Sequence, residues 1–367
     1  MLVSDFHYDL PQELIAQQPL ADRAASRLLR LEAGGSRYQD RRFRDFPDLL
    51  GPSDLIVFNN TRVFPARLYG RRSGSRAQTV SPRNPAARRF LHGRVEVLLT
   101  RQLCHEPNEW ECLVRPGRKI GVGERLFFGE HDELQAEVIG RASFGERRIR
   151  FVEVPANDDG FFALVEKIGH VPLPPYIARE DSLLDRDRYQ TVYARERGSV
   201  AAPTAGLHFT PEILDRIRAR GIETAEITLH VGLGTFQPLH AERVEQHSLH
   251  SEAYSISQDA AERIERARQS SRRIVAVGTT TVRSLEYVAR QNNGEVRAGK
   301  GEANLFIYPG YKFEVVNSLL TNFHLPQSTL LMLVCALGGK QNVLRAYEHA
   351  VAERYRFYSY GDCMLVE

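Results

Sequence analysis

Four short stretches of this 367-residue chain bring together residue types able to bind or protonate a small ligand. The first, GSVAAPTAGLHF from Gly198 to Phe209, combines small residues (Ala201, Ala202, Ala205, Gly206) that let a ligand approach the backbone with the Thr204 hydroxyl and the His208 imidazole, a group that titrates near neutrality. The second, TLHVGLGTF, runs a strand-like alternation into a glycine-rich turn and offers His230, Gly234, Thr235 and Phe236. Its Gly232-x-Gly234 lacks the third glycine and the opening helix of a dinucleotide fingerprint. In the third, Ile274-Val275-Ala276-Val277 turns through Gly278, Thr279, Thr280 and Thr281 into a run of helical period. The free N–H groups of such a helix start suit a carboxylate or a phosphate, and Arg283 in the first turn could add a guanidinium fork. The fourth, TNFHLP-x-ST, carries Asn322 and His324, which can read a base edge or protonate a leaving nitrogen because each donates and accepts hydrogen bonds. His247-x-x-His250 with Glu252 has neither a third histidine nor an HExxH pattern, so no metal is expected.

Composition narrows the class of protein that carries these stretches. A hydrophobic content of 42% supports a real core, and the length suggests two domains. The 49 basic and 46 acidic residues give a net charge of +3, which argues against a protein that coats a polyanion uniformly. Lys119, Lys167, Lys300, Lys312 and Lys340 are the only lysines, so nearly all the positive charge is arginine, the better bidentate partner for phosphate. Cys104, Cys112, Cys335 and Cys363 form no C-x-x-C pair, which argues against a zinc ribbon, an iron–sulfur cluster or a disulfide framework. The acidic, proline-punctuated start MLVSDFHYDLP is wrong for a signal peptide, and the apolar run Leu330–Leu337 is far shorter than the ~18 residues of a membrane span. A soluble protein of a reducing compartment, most simply the cytoplasm, is expected.

The elements that must position the four stretches fall into regions of different texture. Leu55-Ile56-Val57-Phe58 reads as a buried strand running into Asn59-Asn60-Thr61-Arg62, a turn or cap. From 66 to 154, short β-rich runs separated by Gly, Pro and Asn predict a small antiparallel barrel or sandwich. Its first hairpin carries an insertion, 71–93. Between Arg67 and Arg94 stand eight arginines with no Asp, Glu or Lys, which predicts a flexible basic loop suited to nucleic-acid contact. Beyond 155, helical periods over Phe161–Ile168, Pro211–Arg220, Asp259–Ser270, Thr281–Gln291 and Gln341–Tyr355 alternate with strand-like runs at Thr224–His230, Arg273–Val277, Leu305–Tyr308 and Phe313–Val316. The expected fold is α+β: a large mixed α/β domain (1–65 and 155–367) with a small antiparallel all-β domain (66–154) inserted into it. The tail YRFYSYGD interleaves aromatics with arginine, as in a base-stacking surface or a packed C-terminal strand.

Taken in order, YDLPQELIAQQP (8–19), SRLL (26–29), DLIVFNNTRVFPARL (54–68), RYQTVYA (188–194), the four stretches above, IYPGY, STLLMLV and YRFYSYGD resemble the S-adenosylmethionine:tRNA ribosyltransferase-isomerases of queuosine biosynthesis. The resemblance spans essentially the whole chain, with 71–93 as extra material. It implies a cytoplasmic monomer with an inserted β-barrel. It also implies transfer and isomerisation of the ribosyl group of S-adenosylmethionine onto 7-aminomethyl-7-deazaguanine at the wobble position of a tRNA with a GUN anticodon, releasing adenine and methionine and leaving epoxyqueuosine-tRNA. Ala303-Asn304 and Val316-Asn317 stand where the family usually has Thr-Asp and Val-Asp, and Leu249 where it has Met; a catalytic base at either aspartate would be missing here. For such a reaction, residue chemistry makes His208 and His324 the expected proton-transfer pair. Thr204, Gly206, His230, Gly234, Thr235, Phe236, Gly278, Thr279, Thr280, Arg283 and Asn322 are the expected substrate-binding residues.

Overall fold

The computed structural model describes residues 1–32, 34, 37–74, 93–117, 120–142, 145–154, 158–232, 242–247, 249 and 251–367. The chain opens with strands β1 (Arg27–Leu31), β2 (Tyr38–Arg42), β3 (Leu55–Asn59) and β4 (Thr61–Val63). Six strands follow: β5 (Arg67–Arg72), β6 (Arg94–Cys104), β7 (Glu109–Arg115), β8 (Arg125–Phe128), β9 (Leu134–Arg141) and β10 (Arg147–Val152). The remainder mixes helix and strand: α1 (Asp158–Ile168), α2 (Leu183–Arg188), β11 (Glu196–Ser199), α3 (Pro211–Ala219), β12 (Glu223–Leu229), β13 (Glu252–Ile256), α4 (Gln258–Gln269), β14 (Ile274–Val277), α5 (Thr279–Gln291), β15 (Gly299–Ala303), β16 (Ser318–Asn322), α6 (Thr329–Gly338), α7 (Lys340–Ala352) and β17 (Cys363–Val366).

Among the described residues, nine strands form one sheet in the order β15-β13-β12-β3-β14-β16-β17-β1-β2, with β4 and β11 paired separately. Its centre, β12-β3-β14-β16, is parallel. Both faces of that block are covered, and side chains alternate between them. Leu55, Val57, Ile274 and Ala276 face a core shared with α4, α5, α6 and α7, whereas Ile56, Phe58, Val275 and Val277 face Ile213 and Ile217 of α3 together with Phe43 and Phe46. Double coverage is why these strands read as unbroken apolar runs.

The strands β5 to β10 close into an antiparallel barrel in the order β10-β7-β6-β5-β8-β9. Val95, Val97 and Leu99 of β6 point inward together with Leu126, Phe128, Val138, Ile149 and Phe151. Helix α1 covers one end: Phe161 and Phe162 lie 5.8 and 6.1 Å from the Trp110 ring, and Trp110 donates its indole N–H to Asn108 Oδ1 at 2.6 Å. Strands β5 and β6, which carry the arginine-rich stretch, pair Arg71 with Arg94, while residues 75–92 of that stretch lie outside the described residues.

Two strand expectations fail. Leu305–Tyr308 and Phe313–Val316 are irregular; the backbone of the second finds a carboxylate instead of a neighbouring strand, and the Leu305 carbonyl of the first accepts from Arg283. Glu286, fully buried on α5, accepts the N–H groups of Glu314, Val315 and Val316 at 2.8–3.0 Å and the Tyr311 hydroxyl at 3.3 Å. Glu286→Ala orphans three N–H groups at once, and losing a buried partner costs about 1–3 kcal/mol per group before relaxation. Urea unfolding should therefore show a loss of about 3 kcal/mol; a loss under about 1 kcal/mol would mean that the loop is held by something else.

Candidate active site

All four stretches sit where the parallel strands end. Strand β14 runs out at Gly278, β16 at Asn322, β12 at His230 and β3 at Asn60. In open parallel sheets, ligands bind outside these carboxyl ends. Here they border a cavity of about 230 Å³ lined by Ala202–Ala205, Val231, Gly278–Thr280, Thr321–Leu330, Tyr358 and Ser359, with Tyr176 and Val3 closing it. Gly278 adopts φ +90°, a left-handed conformation that glycine takes without strain, which lets the chain leave β14 and enter α5 in one step.

Of the expected site residues, Thr204, Gly278, Thr279, Thr280, Asn322 and His324 line this cavity. His324 is held by its backbone: its N–H donates to Tyr347 Oη at 3.1 Å and its carbonyl accepts from Tyr8 Oη. Its Nε2 lies 2.8 Å from Thr321 Oγ1, and Nδ1 takes no partner among the described residues. Burial pushes its pKa down to about 3, so the resting imidazole is neutral.

His208 stands behind the cavity wall, not on it. Its Nε2 lies 3.2 Å from Asn322 Oδ1 and its Nδ1 2.7 Å from Ser26 Oγ. Asn322 donates its amide N–H₂ to the carbonyls of Tyr358 and Ser359, which fixes Oδ1 toward His208. Because Oδ1 only accepts, Nε2 carries the proton and Nδ1 accepts from Ser26. Burial lowers this histidine's pKa to about 4.

Three expected residues lie elsewhere. Arg283 is one helical turn too deep. It donates to the buried carboxylate of Glu252 at 2.8 Å and to the Leu305 carbonyl at 3.2 Å, and Glu252 also accepts the N–H of Gly232. Gly206 packs on Tyr193, whose hydroxyl would lie 2.0 Å from an added Cβ. His230 contacts Thr61 Oγ1 at 2.8 Å and faces a second, polar hollow of about 760 Å³ with Asn60, Arg195, Glu226, Arg263 and Lys300; burial lowers its pKa. Gly234, Thr235 and Phe236 lie outside the described residues, as does His250. Among the described residues, no group of three or more His, Cys, Asp or Glu could hold a metal ion, and no helix is long and apolar enough to cross a membrane.

Sequence reasoning missed three features of the wall. The first is the start of α6, where Ser328 Oγ caps Leu331 N–H at 3.2 Å and Ser328, Thr329 and Leu330 line the cavity; a serine ahead of an apolar run was the available signal. Second is the aromatic pair Tyr176–Tyr358, with ring centroids 4.2 Å apart and Tyr358 at φ +72°. The third is that no Asp, Glu, Lys or Arg lines the cavity among the described residues. Asn304 and Asn317 are exposed and also off the wall; Asn317 Oδ1 accepts the Ile274 N–H at 2.7 Å, at the opposite, amino end of β14.

A histidine whose folded pKa is depressed stabilises the fold fully above its unfolded pKa of about 6.5 and loses that contribution as pH falls toward the folded value. Stability should therefore decline between pH 6.5 and 5 by up to about 1.4 kcal/mol per pH unit for each buried histidine, and His208→Gln should make the decline shallower. Urea midpoints measured across that window check this, and a flat wild-type profile would contradict it.

Comparison with known proteins gives the family. Residues 3–366 match the family model described as "Queuosine biosynthesis protein". The S-adenosylmethionine:tRNA ribosyltransferase-isomerase of Solibacter usitatus is 54% identical over 366 residues, covering 100% of both chains, and that of Symbiobacterium thermophilum 51% over 367 residues with the same coverage. A crystal structure of the S-adenosylmethionine tRNA ribosyltransferase from Thermotoga maritima, 36% identical, superposes with a TM-score of 0.53 over 99% of this chain and 100% of that one.

Proposed function

This chain belongs to the queuosine biosynthesis protein family, and on that premise we propose that it transfers and isomerises the ribosyl group of S-adenosylmethionine onto 7-aminomethyl-7-deazaguanine at the wobble position of a GUN-anticodon tRNA, yielding epoxyqueuosine-tRNA, adenine and methionine. In this reading it acts as a cytoplasmic monomer without a metal. Residues 1–65 and 155–367 build the catalytic domain, and 66–154 form the inserted barrel domain. The observation that carries the reading is the cavity at the carboxyl ends of the parallel strands, on which three of the four chemistry-bearing stretches converge and to which the fourth adds Val231.

The chemistry needs a proton removed from the ribose C5′, which the neighbouring sulfonium acidifies, and a proton delivered to a ring nitrogen of adenine before that base can leave. Methionine departs as a neutral thioether and needs no acid. His324 is the one imidazole on the described wall. With Nε2–H donated to Thr321, its Nδ1 lone pair can accept the C5′ proton. The imidazolium so formed can pass that proton on to a ring nitrogen of adenine. His208 has both nitrogens occupied and acts through Asn322, as a positioning residue. Tyr176 and Tyr358 present aromatic density suited to a sulfonium. Thr204 supplies a hydroxyl to the substrate, Asn322 holds the wall through bonds it already makes, and His230, on the far side of Val231, faces the hollow from which a tRNA loop would approach.

The test mixes enzyme, S-adenosylmethionine and tRNA bearing 7-aminomethyl-7-deazaguanine, then follows free adenine and the mass of the modified nucleoside. Adenine release matched by an epoxide-bearing cyclopentanediol mass gain is expected; tight tRNA binding with no adenine would refute the reaction. His324→Gln should lower the rate of adenine release by about 10²–10⁴-fold with little change in KM for S-adenosylmethionine. A variant that releases adenine at the wild-type rate would remove His324 from the mechanism.

A further inference from the structure

Two helices begin at the wall of the same cavity. Helix α5 contributes Gly278, Thr279 and Thr280, α6 contributes Ser328, Thr329 and Leu330, and the two helices pack against each other. The first N–H groups of a helix have no partner within it, and aligned peptide dipoles leave partial positive charge there. In α6 the Ser328 side chain satisfies Leu331, and in α5 Thr281 and Val282 bond back to the Gly278 carbonyl, whereas the N–H groups of Thr279, Thr280, Thr329 and Leu330 take no partner among the described residues. With no Lys or Arg on the described wall, these two helix ends are its only sources of positive potential there.

A second observation points the same way. Thr280 is only 6% exposed, yet its Oγ1 has no hydrogen-bond partner among the described residues, which leaves this cavity-lining hydroxyl free to bond a ligand. This hydroxyl lies toward the helix start: a Cβ built on Gly278 would sit 3.7 Å from it, so a side chain at 278 would intrude on the space in front of Thr280.

We infer that the starts of α5 and α6, with the Thr280 hydroxyl, form an oxyanion subsite. Its ligand is the α-carboxylate of a sulfonium amino acid or a nucleic-acid phosphate. The inference rests on the reaction proposed above only for the identity of the carboxylate; the subsite itself follows from the geometry. It replaces the guanidinium fork expected from Arg283, which Glu252 occupies.

Titration calorimetry tests it by comparing S-adenosylmethionine with its decarboxylated analogue on the wild-type enzyme, Thr280→Val and Thr280→Ser. Wild type should bind the carboxylate-bearing compound at least tenfold more tightly. Thr280→Val should lose about tenfold for that compound and almost nothing for the analogue, and Thr280→Ser should recover most of the loss. Equal binding of the two compounds, with Thr280→Val weakening tRNA and inorganic phosphate instead, would support the subsite and assign it to a phosphate. Unchanged affinity of Thr280→Val for S-adenosylmethionine, tRNA and phosphate would overturn it. Adenine release measured on the same samples separates the two proposals: carboxylate-dependent binding without adenine would sink the reaction and leave the subsite standing.

Discussion

The Asn322 amide is the contact on which the cavity depends. It stands at the end of β16, accepts from His208, 114 residues earlier in sequence, and donates to the carbonyls of Tyr358 and Ser359, 36 and 37 residues later. Two segments that share no secondary structure with β16 are thereby fixed to one of its side chains. Tyr358 needs such a hold, because a non-glycine residue at φ +72° costs of the order of 1–3 kcal/mol and persists only where its surroundings over-determine it. With the turn so held, Tyr358 stacks on Tyr176 and Ser359 meets the Tyr176 hydroxyl. A buried amide with every valence used rigidifies its neighbours; one with a valence open would be a liability in the same place.

The second constraint is the absence of charged side chains from the described wall. An ionised group on that wall would have to be desolvated and paired, whereas a neutral imidazole, threonine hydroxyls and peptide dipoles carry polarity at lower cost. A cationic substrate with an anionic end can enter such a site without displacing an ion pair. Charge that the chain does bury off that wall includes Arg283 with Glu252, Glu286 under its backbone N–H groups, and Asp185 with Arg179, Ser182 and Tyr360. Asp185 receives enough donors to hold its carboxyl well below the usual carboxylate range despite its burial.

Much of this arrangement was legible in the sequence wherever the governing interaction is local. The runs at 55–58 and 274–277 announce buried strands, Thr210-Pro211 announces the start of α3, and the Gly278–Thr281 turn announces the start of α5. Partners far apart in sequence were not legible. Arg283 reads as a free fork until Glu252 is brought beside it, and His208 reads as a proton-transfer residue until Ser26 and Asn322 engage both its nitrogens. The segment Phe313–Val316 has the β-rich composition of a strand, and only the buried carboxylate of Glu286 shows why it forms none. The tail likewise puts its strand at Cys363–Val366, beyond the aromatic run, which is committed to the turn that Asn322 holds.

A parallel sheet also separates the residues that hold it together from those that face ligand. At the amino ends, Asp54 and Glu367 both bind Arg273, Glu367 also binds Arg30, and Asn317 caps the first N–H of β14. At the carboxyl ends stand the uncharged groups of the cavity. The asparagines found where the resembling family has aspartate bear on activity only if they belong to the second set. Asn317 belongs to the first: an aspartate there would accept the same N–H, so the exchange alters surface charge at the end of the sheet away from ligand. Asn304 is exposed beside Leu305, whose carbonyl is already taken by Arg283. Neither asparagine lines the cavity, so both departures from the family's pattern lie off the wall that carries His324.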